Sequence, residues 1–579
     1  MFTCRNDRML TLENQYLSKS FSILLFSVLL CIGLLQIVST YSMFSHTWDE
    51  PAHLAAGMQY LDLGIYEYEL QHPPLARLAT AVGPYMAGLR SYGESNMWQE
   101  GSRLLYENGD YQRNLTLARL GIIPFFILLF IITWIWSAHT FGTMAAAFAG
   151  LMIVSQPAII AHASLATTDL PLVVMLMWSL YLFTGWLQSP TILRATALGL
   201  VAGLTTQTKL SALPFLVLAC LTSWFLIHYP RLSGPNRREQ PGTKLILQLP
   251  IVALCLFLSA WAVYGFGWTD KPPLHDVSAQ ALSLEFNIPI VISNTASGIL
   301  EVLEHNKYGH RSYLFGEIHN KGSWMYFPVA LAVKATLPVL FLALFGFFFA
   351  ITQGQRYGTW VYASPGLMAL VILLFSMSAN INIGVRHILI VFPLLIIQAS
   401  FAVKILLTTK KFSSLNRMLV FLLMLWQCSA SFSAHPDYLA WFNGLAGKKP
   451  ENILLTADLD WGQDLNRLGA ELQSRNVPYL ALAYNGFARL DQHNLPVNFR
   501  LEPDKPVTGW IAVSLWSLEA EKGYHWLKRQ SPQSRIGRSI ELYYIEATDL
   551  PEDIREAAVS REKRFARATL NQSQDGEKE

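Results

Sequence analysis

The stretch Ser45-His46-Thr47-Trp48-Asp49-Glu50-Pro51 places two adjacent carboxylates directly after a long apolar run. Ionisable groups at membrane depth are costly, and they mark functional candidates by default. A third acid, Asp169, stands in "HASLATTDLP", again just before a proline and an apolar run, with His162 upstream. A carboxylate so placed can take a proton from an acceptor hydroxyl. The plainer reading is capping, since Asp caps helices well and Pro favours the first helical position. Capping accounts for one acid of the Asp49-Glu50 pair and leaves the second less well explained. Basic groups complement the acids. "NINIGVRHILIVFP" sets Arg386 and His387 at the start of a further apolar run. A guanidinium fork there suits a phosphate, and its plainer role is snorkelling to the membrane surface. "YGHRSYLFGE" adds His310, Arg311 and Glu317, and "LQHPPLARL" adds His72 and Arg77. Acids facing phosphate-binding bases fit a reaction at a lipid phosphate, whose leaving is eased when its charge is neutralised. Neither a Walker A sequence nor a G-x-G-x-x-G after a strand is present, which fits a lipid-linked donor better than a nucleotide.

The elements that must hold these groups are apolar. The 579 residues are 52% hydrophobic and 14% charged, against about 25% charge in ordinary globular domains. Together with abundant Trp, Tyr and Phe, this reads as an α-helical polytopic membrane protein. Runs long enough to span lie at about 21–43, 117–137, 141–161, 170–188, 192–209, 211–228, 245–267, 325–351, 359–378, 385–407 and 414–433, which makes about eleven transmembrane helices. The first run is too long for a signal-peptide core and is read as a span. Basic residues cluster in short loops (Arg231, Arg237, Arg238 and Lys244; Lys404, Lys410, Lys411 and Arg417) and beside the first run (Arg5, Arg8 and Lys19). The positive-inside rule then puts the N-terminus in the cytoplasm and the C-terminal part outside, in a cytoplasmic (inner) membrane. A nucleic-acid role has no support in this charge pattern. Of Cys4, Cys31, Cys220, Cys255 and Cys428, no pair has metal-ligand spacing, and the last four lie in apolar runs.

Accordingly, residues 1–20 are expected to form a cytoplasmic tail and 21–433 a membrane module with outer loops 44–116 and 268–324. The first loop carries two interfacial helices, at about 51–63 and 74–90. Residues 434–548 read as a small extracytoplasmic α/β domain, with strands at about 452–457, 479–484, 509–516 and 540–545 and helices at about 461–475 and 517–529. The charged tail 549–579 is expected to be disordered. Within "ADLDWGQDLNRL", Asp460 and Gln463 have capping-box spacing. Trp461, Asp460 and, from the earlier loop, Glu317 are the alternative candidates for binding an acceptor, Trp461 by stacking on a sugar ring.

The order of motifs is itself informative. An Asp-Glu pair after the first span, "HPPLARL", "ATTDLP", "YLFGE…WMYFPVALAVKATLP" and "GVRHILIVFPLL" resembles the GT-C membrane glycosyltransferases. The likeness is to the family 39 group, with its protein O-mannosyltransferases and lipid A aminoarabinose transferases, and it covers about residues 20–470. The resemblance implies a GT-C fold, a polyprenyl-phosphate sugar donor and an inverting transfer to an envelope glycan, lipid or protein. By motif position, Asp49 matches the acid that acts as base or orients the acceptor, with Glu50 beside it and Asp169 as the second acidic position. Arg386 matches the basic residue near the donor phosphate and His72 the residue before the paired prolines; Arg311, from the residues alone, and His72 are further candidates for that phosphate. Arg386-His387 departs from the frequent Arg-Tyr of the group, and no β-trefoil insertion is present, which favours an envelope acceptor over protein mannosylation. Some relatives use a divalent metal ion. Asp49 and Asp169 would be its ligands here, although oxygen-only sites leave no spacing signature. Two rival readings are a polyprenyl-lipid flippase or secondary transporter, which Lys209 inside an apolar region favours, and a non-catalytic membrane assembly protein.

Overall fold

The computed structural model describes residues 18–228, 242–269, 287–357, 360–410 and 413–576. Most of the N-terminal tail, the basic cluster Arg231, Arg237 and Arg238, Lys411 and residues 270–286 of the 268–324 loop lie outside the described residues.

Among the described residues, six helices are long and apolar enough to cross a membrane: Lys19–Val38, Tyr111–Phe141, Asp169–Gln188, Gly242–Ala262, Val391–Thr408 and Ser413–Ala434. Two bent pairs bring the number to eight if each is one span: Thr143–Val154 with Pro157–Ala163, bent by 64°, and Tyr326–Lys334 with Leu337–Thr352, bent by 112°. Both bends fall beside a proline, which cannot donate to the preceding turn. Ile192–Thr206, Ala212–Leu226 and Val361–Ser376 are apolar but shorter. Length and composition thus give six to eight spans, and the three shorter helices, if they also cross, bring the number to the eleven that the apolar runs suggest. The protein is a multi-pass membrane protein with a packed helical core that includes Phe126, Phe130, Phe327 and Phe392.

After the first span the chain forms three short helices, Glu50–Leu63, Pro74–Met86 and Met97–Tyr106, before it re-enters the bundle. They cross tightly. A Cβ at Gly57 would lie 2.1 Å from the Arg77 carbonyl oxygen, so only glycine lets the first two helices approach this closely.

The C-terminal part carries a five-stranded mixed sheet in the order 497–500, 479–483, 509–514, 540–545, 534–536. The first two pairings are parallel and the last two antiparallel. Three readings need correction. The segment 452–457 is not a strand: 3-10 turns at Pro450–Asn452 and Thr456–Asp458 bracket it. Its fully buried Leu454 and Leu455 pack into two different cores, Leu454 into the bundle's and Leu455 into that of the C-terminal domain. A short continuous apolar run does not distinguish such a plug from a strand. The expected helix 517–529 is a short helix, Leu515–Ala520, followed by a 3-10 segment, Lys522–Arg529. The tail is not disordered throughout: Glu552–Gly576 is helical, Ala558 is buried, and Phe565 stacks on Phe499 of the edge strand at 4.2 Å. A few apolar residues on one face of a charged helix suffice to dock it.

The C-terminal part is clamped to the bundle through Asp458. Its carboxylate accepts from Val385 N–H at 2.9 Å and Tyr326 O–H at 3.0 Å, and its carbonyl accepts from Lys334 Nζ at 2.8 Å.

Candidate functional site

The two acids of the opening stretch have separate fates. Glu50 begins the helix, with Pro51 in its first turn. Its carboxylate accepts from Thr47 N–H (2.7 Å) and Ala166 N–H (2.9 Å) and is gripped by Arg119 through Nε (2.8 Å) and Nη2 (2.9 Å). Both side chains are 1% exposed. Burial works against ionisation of Glu50, but Arg119 and the backbone donors outweigh it and hold the carboxyl below its ordinary range. Glu50 therefore ties the 162–169 loop to the first outer helix. Its lone pairs are committed to that task, and the catalytic part expected of it is not where its geometry places it.

Asp49 occupies the capping position of that helix, yet its side chain makes no cap hydrogen bond. It points instead to Arg386, with Oδ2 at 2.5 Å from Nη1. The same Nη1 lies 3.7 Å from Asp169, and Lys209 Nζ donates to the other oxygen of Asp169 at 2.8 Å. Lys209, Asp169, Arg386 and Asp49 thus form an alternating row of charges. Asp169 and Arg386 are buried, whereas Asp49, 25% exposed, is the open end. Arg386 sits in a 3-10 turn entered through Gly384, whose φ of +121° is a conformation that side chains rarely adopt. Trp461 covers the guanidinium at 4.5 Å, a cation–π contact that leaves few open approaches.

The C-terminal segment completes this site. Trp48 N–H donates to Trp461 O (3.1 Å), Ser45 N–H to Gln463 O (3.0 Å) and Ser45 Oγ to Gly462 O (3.0 Å). The "SHTWDE" and "DLDWGQD" stretches are therefore knitted together, one from each end of the chain.

Of the residues singled out from sequence, Asp49, Asp169, Arg386 and Trp461 come together. Trp461, however, is buried over Arg386 and is not free to stack on a sugar. Arg311 is exposed and lies over Trp516 of the C-terminal domain at 5.8 Å, and Glu317 is exposed at the turn of a hairpin. Neither touches the charge row. His72 belongs to a neighbouring cluster, where Nδ1 is 3.0 Å from both oxygens of Glu69, which also pairs with Arg77. Burial holds its imidazole below the ordinary range against the pull of Glu69, so at neutral pH it is a poor phosphate ligand. Lys209 is the member that sequence reasoning set aside. Its signal was the polar run Thr205-Thr206-Gln207-Thr208-Lys209 cutting an apolar stretch, and the structure places it at a helix end beside Asp169.

Asp460 makes neither an acceptor site nor the expected cap: it is buried and accepts from Trp516 N–H at 2.9 Å. Burial pushes its carboxyl up to about 7. The folded state then keeps a proton that the unfolded chain has lost, so this contribution to stability is complete below about pH 4 and declines as pH rises towards 7. Asp460→Asn is expected to flatten that decline in thermal melts over the same range. An unchanged slope would show that Asp460 is ionised throughout.

The acids do not fit a divalent metal ion. Arg386 already stands between Asp49 and Asp169, Lys209 takes the remaining oxygen of Asp169, and no group of three or more His, Cys, Asp or Glu side chains suited to a metal occurs among the described residues. The arrangement offers instead two cations for an anionic group and one accessible carboxylate beside them.

The family model for dolichyl-phosphate-mannose-protein mannosyltransferase matches residues 25–267, a range that contains Asp49, Asp169 and Lys209. Among solved structures, the S. cerevisiae protein O-mannosyltransferase Pmt1-Pmt2 complex bound to the sugar donor is 10% identical over 73% of this chain and 91% of that one, with a TM-score of 0.52. The apo oligosaccharyltransferase of Archaeoglobus fulgidus is 10% identical over 86% of this chain and 70% of that one, with a TM-score of 0.50. ArnT from Cupriavidus metallidurans bound to undecaprenyl phosphate is 13% identical over 93% and 99%, with a TM-score of 0.48. No curated protein matches by sequence. The mannosyltransferase model thus matches the part of the chain that carries Asp49, Asp169 and Lys209, and the α-helical membrane fold is similar to that of the S. cerevisiae complex.

Proposed function

We propose that the protein is an inverting glycosyltransferase that moves a sugar from a polyprenyl-phosphate donor to an envelope glycan, lipid or protein acceptor on the outer face of the cytoplasmic membrane. The observation that carries this reading is the row Lys209–Asp169–Arg386–Asp49 at the ends of helices, with one carboxylate open. The name of the matching family, which includes a dolichyl-phosphate sugar, supports the donor class. The positive-inside charge pattern supports the orientation, with the N-terminus cytoplasmic and the C-terminal domain outside.

In this reading the donor phosphate docks on Arg386, with Lys209 adding positive charge through Asp169. The acceptor hydroxyl gives its proton to Asp49 as its oxygen bonds to the anomeric carbon. The bond from that carbon to the phosphate oxygen breaks, and the electron pair leaves on the phosphate, whose charge the guanidinium stabilises. Attack opposite the phosphate inverts the anomeric centre. Arg386 pairs with Asp49, so the phosphate must compete with that carboxylate for the guanidinium, and its arrival frees the base.

The test is donor consumption by the purified protein in detergent, supplied with a panel of radiolabelled polyprenyl-phosphate sugars and an envelope extract. Wild type is expected to release polyprenyl phosphate from one donor of the panel, and Arg386→Gln to lose that release by about a hundredfold or more. Binding of polyprenyl phosphate without release from any donor would favour a flippase instead.

A further inference from the structure

Trp48 is out of keeping with its surroundings. Ser45, His46, Thr47 and Glu50 are all buried, yet Trp48 is 38% exposed. Its backbone is pinned by the hydrogen bond to Trp461 O, so its position is set by the segment that covers Arg386. A second open ring comes to meet it from the C-terminal domain. Phe487, also 38% exposed, follows the strand Tyr479–Ala483, and its ring centroid lies 6.2 Å from that of Trp48 with the planes tilted by 57°. Isolated apolar side chains on a surface need no explanation. Two exposed aromatic rings, contributed by distant parts of the chain, one of them next in sequence to Asp49, do.

The neighbourhood restricts the occupant. Arg489, two residues beyond Phe487, pairs with Asp491 at 3.2 Å and lies 3.7 Å from Glu107. Such a charged rim is unfavourable to an acyl chain, whereas hydroxyl groups can hydrogen-bond to it. A pyranose ring has the complementary character: its C–H faces are apolar and fit an aromatic face, while its hydroxyls project from the edges. Tryptophan and phenylalanine supply that contact with little side-chain entropy to lose.

We infer that Trp48 and Phe487 form the platform for a pyranose ring of a saccharide acceptor, so that the C-terminal domain supplies half of the acceptor site. The inference rests on the glycosyl-transfer reading and deepens it. Trp48 stacks the ring next to Asp49, and Phe487 closes the angle from the other domain. The acceptor role once expected of Trp461 thereby passes to these two residues.

The experiment uses the full-length protein in detergent, with linear hexasaccharides of mannose and of glucose as probes and saturation-transfer NMR as readout. Wild type is expected to bind at least one hexasaccharide. Phe487→Ala and Trp48→Ala are each expected to weaken that binding by about tenfold, and Trp48→Tyr to retain it. Phe487→Ala guards against misfolding, because its side chain sits in an exposed turn. Thermal stabilisation by a polyprenyl monophosphate, measured in parallel, should persist in Phe487→Ala. If neither hexasaccharide binds the wild type, or if both alanine variants bind as the wild type does, the platform is refuted. If the polyprenyl monophosphate fails to stabilise even the wild type, the glycosyl-transfer reading falls and takes the platform with it.

Discussion

Asp49→Asn is expected to bind a polyprenyl monophosphate more tightly than the wild type, while transferring sugar about 100- to 10,000-fold more slowly. The two effects have one origin. Arg386 is engaged by Asp49 at 2.5 Å, and Trp461 covers the guanidinium at 4.5 Å. An incoming phosphate must therefore displace the Asp49 carboxylate. Asparagine keeps the shape and removes the competing charge, so the guanidinium is freer to pair with the phosphate. A gain of about three- to tenfold in affinity corresponds to roughly 0.7–1.4 kcal/mol, a modest share of a charge-assisted hydrogen bond. The loss in rate follows because asparagine cannot accept the acceptor's proton. Calorimetric titration with a short-chain polyprenyl phosphate reads the first effect, and single-turnover transfer of a radiolabelled sugar reads the second. Weaker phosphate binding by Asp49→Asn would sink the competition. It would mean that Asp49 holds Arg386 in place for the donor.

Arg119→Met should destabilise the protein by about 3–5 kcal/mol, the usual cost of stripping the partner from a buried charge. Glu50 and Arg119 are both 1% exposed and share two short hydrogen bonds, and Arg119 also donates to the carbonyls of Phe44 (3.2 Å) and Ser45 (3.0 Å). Without the guanidinium, the Glu50 carboxylate stays buried with only the Thr47 hydroxyl (3.2 Å) and the backbone N–H groups of Thr47 and Ala166 as donors. The double variant Glu50→Gln with Arg119→Met should recover part of the loss, because no uncompensated charge remains. Thermal melts of wild type, both single variants and the double variant form the cycle that measures the coupling. A double variant no better than Arg119→Met would show that the damage comes from the lost carbonyl contacts and not from the stranded charge.

Much of the site was legible because charge stands out against an apolar background. Asp49 follows the first apolar run, and Asp169 and Arg386 each stand at the start of one, so all three mark the ends of apolar segments. Their convergence was not legible, since no local pattern says that Arg386 will lie between Asp49 and Asp169. The same limit hid Glu50's commitment to Arg119, a partner 69 residues away. Lys209 was visible but misjudged: a lysine in an apolar stretch suggests a transport pathway until its carboxylate partner is known. In the fold, the strands 479–483, 509–514 and 540–545 were recoverable as short apolar runs, the last two with β-branched and aromatic content. The segment "NILLTA" failed because its leucines are buried at a junction between domains, an environment as dry as a sheet interior. The helix Glu552–Gly576 was missed because its composition is that of a solvated tail, and only a docked face of a few apolar residues marks it as ordered.

The knitting of "SHTWDE" to "DLDWGQD" has a consequence for the order of events during synthesis. Asp49 leaves the ribosome early, but Trp461 and the carbonyls that pin the opening stretch emerge more than 400 residues later. Arg386 itself follows Asp49 by 337 residues, which at about 5–20 residues per second leaves roughly 17–67 s in which the first helices are made and the charge row is not. During that interval Glu50 and Arg119 can already pair, since both belong to the first quarter of the chain, whereas Asp49 has no Arg386 to meet. The newborn protein is thus structurally braced before it is chemically armed. A chain cut short anywhere before the "DLDWGQD" segment would lack the cover over Arg386 and the carbonyls that pin the opening stretch.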